Sequence, residues 1–136
     1  MKHDVILNKA ANIERCLRRI GEVYQGRPEH LNDFTKQDSI VLNLQRACEA
    51  SIDLAMAVVA SGKLGVPQTS RDAFELLEQS GRLDSELADK MKAMVGFRNI
   101  AVHDYQKLNP DILRSILDLH LGDFTDFARA MLASDG

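Results

Sequence analysis

The amino-acid sequence predicts an all-α fold, an antiparallel bundle of about four to five helices. Apolar residues recur every three or four positions along most of the chain, which is the spacing of one buried helix face. Glycines and prolines separate these segments at short intervals, which indicates short loops between antiparallel neighbours. No stretch alternates apolar and polar residues over the length of a strand. We therefore expect residues 1–136 to form a single helical domain.

The first helix is predicted from about residue 4 to residue 24, because Gly26 and Pro28 then interrupt the pattern. Apolar residues three or four apart form its buried stripe, namely Ile6, Ala10, Ile13, Leu17, Ile20 and Tyr24.

The second helix is predicted to open on a capping box, with Thr35 as the cap and Asp38 three residues later. It should end at Gly62 and Gly65. Its stripe consists of Ile40, Leu44, Ala47, Ser51, Leu54 and Val58. Further apolar residues flank this stripe, which indicates a central helix buried on more than one side.

Three more helices are expected towards the C-terminus. Thr69 and Asp72 can cap a short helix through Leu77, and a fourth helix runs from about residue 84 to at least residue 98. The pair Asn109-Pro110 supplies an N-cap followed by proline at the first helical position.

The last helix should then run towards Met131, with a bend at Gly122. His120 lies on its apolar stripe, so we interpret it as a hydrogen-bonded core residue.

Composition and charge limit the kind of protein. Hydrophobic residues make up 45% of the chain, which is ordinary for a globular protein. The net charge is −3, so any contact with nucleic acid must be local. No apolar run is long enough to cross a membrane, and the N-terminal apolar stretch is too short for a signal peptide, so we expect a cytoplasmic protein. Cys16 and Cys48 lack metal-ligand spacing and are interpreted as reduced core residues.

The run from Arg98 to Tyr105 carries the chemistry, because it places arginine, histidine and tyrosine at the spacing Arg-x4-His-x-Tyr. Arginine offers a permanent, forked cation that suits phosphate. Histidine can take or give a proton near neutral pH. Arg98 and His103 are therefore candidates for cleaving a phosphodiester without a metal.

Arg98 occupies a position where a core residue is expected, since the stripe of the fourth helix is Leu87, Met91, Met94, Arg98, Ala101 and Tyr105. A buried, unpaired guanidinium is costly, so Arg98 needs a carboxylate, a partner subunit or a water-filled cleft. His103 lies roughly 140° further around an ideal helix. The two side chains can converge if the helix distorts or ends there, if the arginine reaches round, or if a two-fold axis brings two copies together.

Simpler interpretations exist for several charged residues. Asp104 could pair with Arg98 or with the neighbouring Lys107, and Tyr105 could be a core residue with a bonded hydroxyl. Glu49 and Asp53 are four residues apart without a histidine at ligand spacing, so a solvated face or an arginine partner suits them better than a metal. A basic cluster of Lys9, Arg15, Arg18 and Arg19 is interpreted as a solvated helix face.

The run RNIAVHDY, Arg98 to Tyr105, resembles the signature of the HEPN superfamily, specifically its HepT-like toxin branch. Further similarity to that branch lies at residues 45–55, 65–67, 74–77 and 94–97. The resemblance implies a helical bundle that dimerises, so that two copies of the motif share one cleft. It also implies a metal-independent endoribonuclease that needs no cofactor and has RNA as its substrate.

The resemblance further implies the toxin of a type VII-like toxin–antitoxin pair. Its partner would be a minimal nucleotidyltransferase antitoxin that transfers AMP onto the tyrosine of the motif, which is Tyr105 here. Whether the antitoxin inhibits by AMP transfer, by direct binding or by both is left open.

The residues fit this chemistry. His103 can transfer a proton and Arg98 can stabilise charge on the phosphoryl oxygens, while Asn99 can hold Arg98 or a phosphate oxygen.

The alternative function is a non-catalytic helical subunit that binds nucleotide or presents substrate to a nucleotidyltransferase. A purely structural helical dimer is a third hypothesis. The presence of both Arg98 and His103 favours the enzyme.

Overall fold

The computed structural model describes residues 2–103 and 108–135, and the regular elements in those ranges are all helical. The α-helices are α1 (Lys2–Tyr24), α2 (Phe34–Ser61), α3 (Ser70–Gln79), α4 (Ser85–His103), α5 (Pro110–Ser115) and α6 (Leu121–Asp135). A 3-10 helix, Pro28–Asn32, joins α1 to α2, and a π-helical segment, Ile116–His120, joins α5 to α6. The predicted all-α class is confirmed.

Helix α2 is the centre of the bundle, since it packs against α1, α3, α4 and α6. All six residues of its predicted stripe are buried, and so are apolar neighbours such as Val41, Ile52 and Val59. Phe74 of α3 and Phe127 of α6 meet edge to face nearby, with ring centroids 5.4 Å apart. The expected burial of α2 on more than one side is confirmed.

The predicted capping box at the start of α2 is wrong. Asp33 is the N-cap, and its carboxylate accepts a hydrogen bond from the backbone N–H of Lys36 at 3.1 Å. Aspartate is among the strongest N-cap residues, so the helix begins before Thr35 can cap it. Thr35 therefore lies exposed in the first turn.

The predicted starts of α3 and α5 are confirmed. Thr69 Oγ1 accepts a hydrogen bond from the Asp72 backbone N–H at 3.2 Å, and the Asp72 carboxylate accepts one from the Thr69 backbone N–H at 3.2 Å. Asn109 caps α5 through its side chain, and Pro110 is the first helical residue. Both starts follow from local side-chain hydrogen bonds that the sequence specifies directly.

The last helical region departs from a single α-helix at Ile116–His120, upstream of the predicted bend at Gly122. The interpretation of His120 as a hydrogen-bonded core residue is confirmed for the hydrogen bond but wrong for the burial. Its side chain is 38% exposed, and its Nδ1 lies 3.0 Å from the carboxylate of Asp123. A π-turn holds more residues than an α-turn, so the 3.6-residue spacing that placed His120 on the apolar stripe does not apply within this segment.

Both cysteines are free thiols. Cys48 is fully buried in α2, and burial raises the pKa of its thiol to about 12, whereas Cys16 of α1 is half-buried. Within residues 2–103 and 108–135, no helix combines the length and apolar character needed to cross a membrane.

Candidate active site

The candidate site is built on α4, which carries Arg98, Asn99 and His103 in one continuous helix. Two further residues of the motif, Asp104 and Tyr105, lie outside the described residues. The alternative pairing of Asp104 with Arg98, and the location of the Tyr105 hydroxyl, therefore stay predictions.

Arg98 points from α4 towards α2 and α3. Its Nη1 donates a hydrogen bond to Glu49 Oε1 at 2.7 Å, and its Nη2 donates one to Ser70 Oγ at 3.3 Å. Its Nε is buried and has no hydrogen-bond partner among the residues that the structure describes. The carboxylate that an arginine on an apolar stripe requires is thus supplied by α2.

Glu49 pairs with Arg98, so the interpretation that Glu49 has an arginine partner is confirmed. Its side chain is 43% exposed and that of Arg98 is 21% exposed, so the pair lies where the interior meets solvent. Asp53, one turn further along α2, instead pairs with Lys9 of α1, with Lys9 Nζ 3.1 Å from its carboxylate. The two acidic residues therefore bind different cations.

Helix α3 supplies a second support for α4. Its capping box places Ser70, the first helical residue, against the Arg98 guanidinium. The next residue, Arg71, lies so close to α4 that a Cβ at Gly96 would stand 3.2 Å from Arg71 Nη2. The space beside Gly96, where a side chain would otherwise lie, is thus occupied by the guanidinium of Arg71.

His103 is exposed, and α4 keeps helical geometry from Arg98 to His103. Five helical residues rotate one side chain roughly 140° relative to the other. Since Arg98 is directed inward to Glu49 while His103 faces solvent, one copy of α4 presents the two groups in different directions. Distortion of the helix between them, one of the three ways to bring them together, is not observed.

Sequence reasoning identified Arg98, Asn99 and His103 but missed Ser70 and Arg71. Asn99 is half-buried beside Arg98 on α4. The capping box at Thr69 was a usable signal, because it places Ser70 at the start of a helix. Its contact with Arg98, however, depends on how α3 packs on α4, which no local pattern encodes.

Among the described residues, no three histidine, cysteine, aspartate or glutamate side chains come together as a metal site. The chemistry available to this region is that of a guanidinium and an imidazole. These are a cation suited to a phosphoryl group and a group that transfers protons near neutral pH.

Comparison with known proteins places this chain in a family. The family model described as "Ribonuclease HepT-like" matches residues 13–131. The chain is 51% identical over 125 residues to the mRNA nuclease HepT of Shewanella oneidensis, and the match covers 92% of this chain and 94% of the relative.

Solved structures give the same result. A tri-AMPylated Shewanella oneidensis HEPN toxin in complex with MNT antitoxin superposes with a TM-score of 0.90 at 50% identity, covering 96% of this chain and 98% of that one. A toxin–antitoxin structure with AMP-PNP superposes with a TM-score of 0.91 at 49% identity and the same coverage. The family resemblance that the motif indicated is confirmed, since the similarity extends over nearly the whole chain. The protein belongs to the HepT-like ribonuclease family.

Proposed function

We propose that this protein is the endoribonuclease toxin of a type VII-like toxin–antitoxin pair and acts on RNA in the cytoplasm. The observation that carries the proposal is the presence of both Arg98 and His103 on α4, in a chain that belongs to a family described as ribonucleases. A close relative is named an mRNA nuclease, which supports RNA as the substrate.

The reaction needs no external nucleophile, because RNA supplies its own 2′-hydroxyl. His103 removes the hydroxyl proton, the oxygen attacks the adjacent phosphorus, and the bond from phosphorus to the 5′-oxygen breaks. A proton donor then protonates the leaving 5′-oxygen. The products are a 2′,3′-cyclic phosphate and a free 5′-hydroxyl, so no metal-bound water is required.

Arg98 stabilises the negative charge that develops on the phosphoryl oxygens. A guanidinium has five N–H donors, and Glu49 and Ser70 accept one each from the two terminal nitrogens. Each terminal nitrogen keeps a second N–H for a phosphate. The hydrogen bonds to Glu49 and Ser70 hold the guanidinium in one orientation before substrate binds, which favours catalysis. Asn99 is half-buried beside Arg98 and is assigned a supporting role at the phosphate.

A homodimer reconciles the opposite directions of Arg98 and His103. Two copies of α4 related by a two-fold axis can place Arg98 of one copy near His103 of the other. The exposed apolar residues Ile100 and Val102 lie within three residues of His103 on α4 and favour a subunit contact there. In such a dimer, the second His103 serves as the acid that protonates the leaving oxygen.

The first prediction concerns activity. The purified protein should cut single-stranded RNA in EDTA and leave 2′,3′-cyclic phosphate ends. His103→Ala should lower the rate about 10²–10⁴-fold, the usual contribution of a general acid or base. Arg98→Lys keeps the charge but loses the forked geometry, and should also cut slowly. The assay follows a labelled oligoribonucleotide on a denaturing gel.

His120→Ala is the matched control, because it removes a half-exposed histidine on another part of the bundle. It should cut at the wild-type rate. A His103→Ala protein that cuts as fast as the wild type would show that His103 is structural. Wild-type protein that binds RNA without cutting it would favour the non-catalytic subunit instead.

Control by an antitoxin is the second part of the proposal. The solved relative is a tri-AMPylated toxin bound to its MNT antitoxin, which supports a nucleotidyltransferase partner for this chain. We assign Tyr105 as the residue that accepts AMP. The adduct would bring a bulky group and a negative phosphate within two residues of His103, which would exclude an RNA phosphate by charge and by volume.

The second prediction tests this assignment. Incubation with the cognate nucleotidyltransferase, ATP and Mg²⁺ should add one or more AMP masses and abolish cleavage. Tyr105→Phe should stay unmodified and keep at least part of its cleavage activity. Tyr24→Phe is the matched control, because Tyr24 is the other tyrosine of the chain and is buried. Intact mass spectrometry decides the matter, and AMP on the Tyr105→Phe protein would refute Tyr105 as the acceptor.

A further inference from the structure

A polar groove of about 540 Å³ lies between α1 and α2, on a side of the bundle that Arg98 and His103 do not line. Its lining from α1 is Lys9, Asn12, Arg15, Cys16 and Arg19. Its lining from α2 is Asn43, Arg46, Glu49, Ala50 and Asp53. Lys9 in the first half of α1 meets Asp53 in the second half of α2, as expected for two antiparallel helices.

The groove is positively charged although the whole chain carries a net charge of −3. Four cations and two carboxylates line it. Both carboxylates already have partners, because Asp53 pairs with Lys9 and Glu49 pairs with Arg98. The remaining cations are the three arginines Arg15, Arg19 and Arg46.

These three arginines are accessible to a ligand. All three are exposed, and Arg46 makes no hydrogen bond or ion pair with any residue in the described parts of the chain. Arg15 bonds to the Asn12 side chain, and Arg19 bonds to Glu22 at 3.1 Å. Burial raises the pKa of the Cys16 thiol while the charges of Arg46 and Arg15 oppose that rise, which agrees with both guanidinium groups facing the same groove.

The groove leads to the candidate active site through one residue. Glu49 lines the groove and also accepts the 2.7 Å hydrogen bond from Arg98. Arg46 precedes Glu49 by three residues on α2, which is about 4.5 Å along the helix axis at ~1.5 Å per residue. A strand whose phosphate reaches Arg98 would therefore meet Arg46 within about one helix turn.

We propose that this groove binds the RNA strand next to the cleaved phosphodiester, through its phosphate groups; the proposal rests on the ribonuclease function proposed above. Arginine is suited to phosphate because its donors match two oxygens at once. The amides of Asn12 and Asn43 add hydrogen-bonding groups to the same wall. Binding through phosphates carries no sequence information, so the groove sets affinity and direction rather than the cleavage sequence.

The test measures RNA binding separately from cleavage. All variants are made in the His103→Ala protein, and a fluorescein-labelled single-stranded oligouridylate is followed by fluorescence anisotropy at several salt concentrations. Arg15→Gln, Arg19→Gln and Arg46→Gln are combined in one protein. Each lost phosphate contact lowers the slope of log affinity against log salt by about 0.7 for single strands, so the slope should fall by about 2.

The matched control removes three arginines outside the groove, with Arg18→Gln, Arg27→Gln and Arg129→Gln combined. All three are exposed, and Arg18 pairs with Glu14 on another face of α1. Both triple variants have the same net charge. The control should keep the parent slope and an affinity within about twofold of the parent, while the groove variant should lose at least about tenfold at low salt.

Two results would overturn the proposal. The first is equal RNA affinity and equal salt slope in the two triple variants. The second is retained RNA binding combined with loss of the subunit contact or of the antitoxin complex in light scattering, which would make the groove a protein interface. If the groove triple variant does not fold, Arg46→Gln replaces it, and its slope should fall by about 0.7.

The proposed function can fail separately. Wild-type protein that does not cut RNA in EDTA, together with weakened RNA binding in the groove variant, would refute the nuclease while supporting the groove. If the wild-type protein cuts RNA and the groove variant binds RNA as tightly as its parent, the nuclease function is supported and the groove proposal is refuted.

Discussion

Arg98 is the residue on which the candidate site depends, because it places a charge on a helix face that is otherwise apolar. Its side chain is 21% exposed, and it bonds to Glu49 of α2 and to Ser70 of α3. Three helices thus meet at one guanidinium. The pair with Glu49 lets the charge lie near the core without the full cost of an unpaired ion.

The third prediction measures the strength of this pair. In a double-mutant cycle with Glu49→Gln and Arg98→Gln, the coupling free energy should be about 1 kcal/mol, because a hydrogen-bonded charge pair at the edge of the core is only partly screened. The readout is the free energy of unfolding in urea. A cycle on the exposed pair Arg18 and Glu14 should give less than about 0.5 kcal/mol. Equal coupling in both cycles would mean that Glu49 does not hold Arg98 in solution.

At the scale of single helices, the starts of α2 and α3 show how local hydrogen bonds decide where a helix begins. Two threonines were each predicted to open a capping box. Thr69 does so at α3, whereas Thr35 lies inside α2 because Asp33 caps that helix two residues earlier. Aspartate and threonine both accept backbone hydrogen bonds well, so the neighbouring residues decide which one serves.

The fourth prediction compares the two threonines. Thr69→Ala should lower the free energy of unfolding by about 1 kcal/mol, the usual cost of removing a cap. Thr35→Ala should change it by less than about 0.5 kcal/mol, because an exposed residue in the first turn holds no cap. Asp33→Ala should cost about 1 kcal/mol, as Thr69→Ala does. Urea unfolding gives all three values, and a larger loss for Thr35→Ala than for Asp33→Ala would contradict the observed start of α2.

The π-helical segment Ile116–His120 is the element that sequence reasoning missed most clearly. The Tyr24 hydroxyl of α1 donates a 2.7 Å hydrogen bond to Asp118 in this segment. Burial, together with this bond, raises the pKa of Tyr24 to about 12. A contact between residues so far apart in the chain cannot be deduced from helical periodicity, which describes one helix at a time.

At the scale of the whole molecule, the proposed dimer depends on the exposed end of α4. Ile100 and Val102 are 47% and 48% exposed, and both lie within three residues of solvent-facing His103 in the last turn of α4. Exposed apolar residues grouped around a candidate catalytic residue are consistent with a subunit interface.

The fifth prediction is that the protein is a dimer at micromolar concentration by light scattering. Val102→Asp should shift it towards monomer and reduce RNA cleavage at the same time, because a charge at an apolar contact opposes association and separates the two motifs. Val66→Asp is the matched control, since Val66 is 82% exposed in the loop between α2 and α3. It should keep both the dimer and the activity. A monomer that cuts RNA at the full rate would contradict the shared site.

Much of the fold of this protein could be predicted from its sequence. The all-α class, the buried stripe of α2 and the caps at Thr69 and Asn109 are determined by spacing and by hydrogen bonds between residues a few positions apart. The motif from Arg98 to Tyr105 was identified by the same local means. Local patterns suffice there because a helix and its caps are formed within one short segment.

The tertiary structure decided what those residues contact. It selected Glu49, 49 positions away, as the carboxylate for Arg98, and it turned Arg98 inward while His103 faces solvent. It also brought Arg46 of α2 into one groove with Arg15 and Arg19 of α1, two members of the basic cluster that was interpreted as a solvated face. These contacts join different helices, and their free energy is gained only when the helices pack, so no single segment of the sequence specifies them.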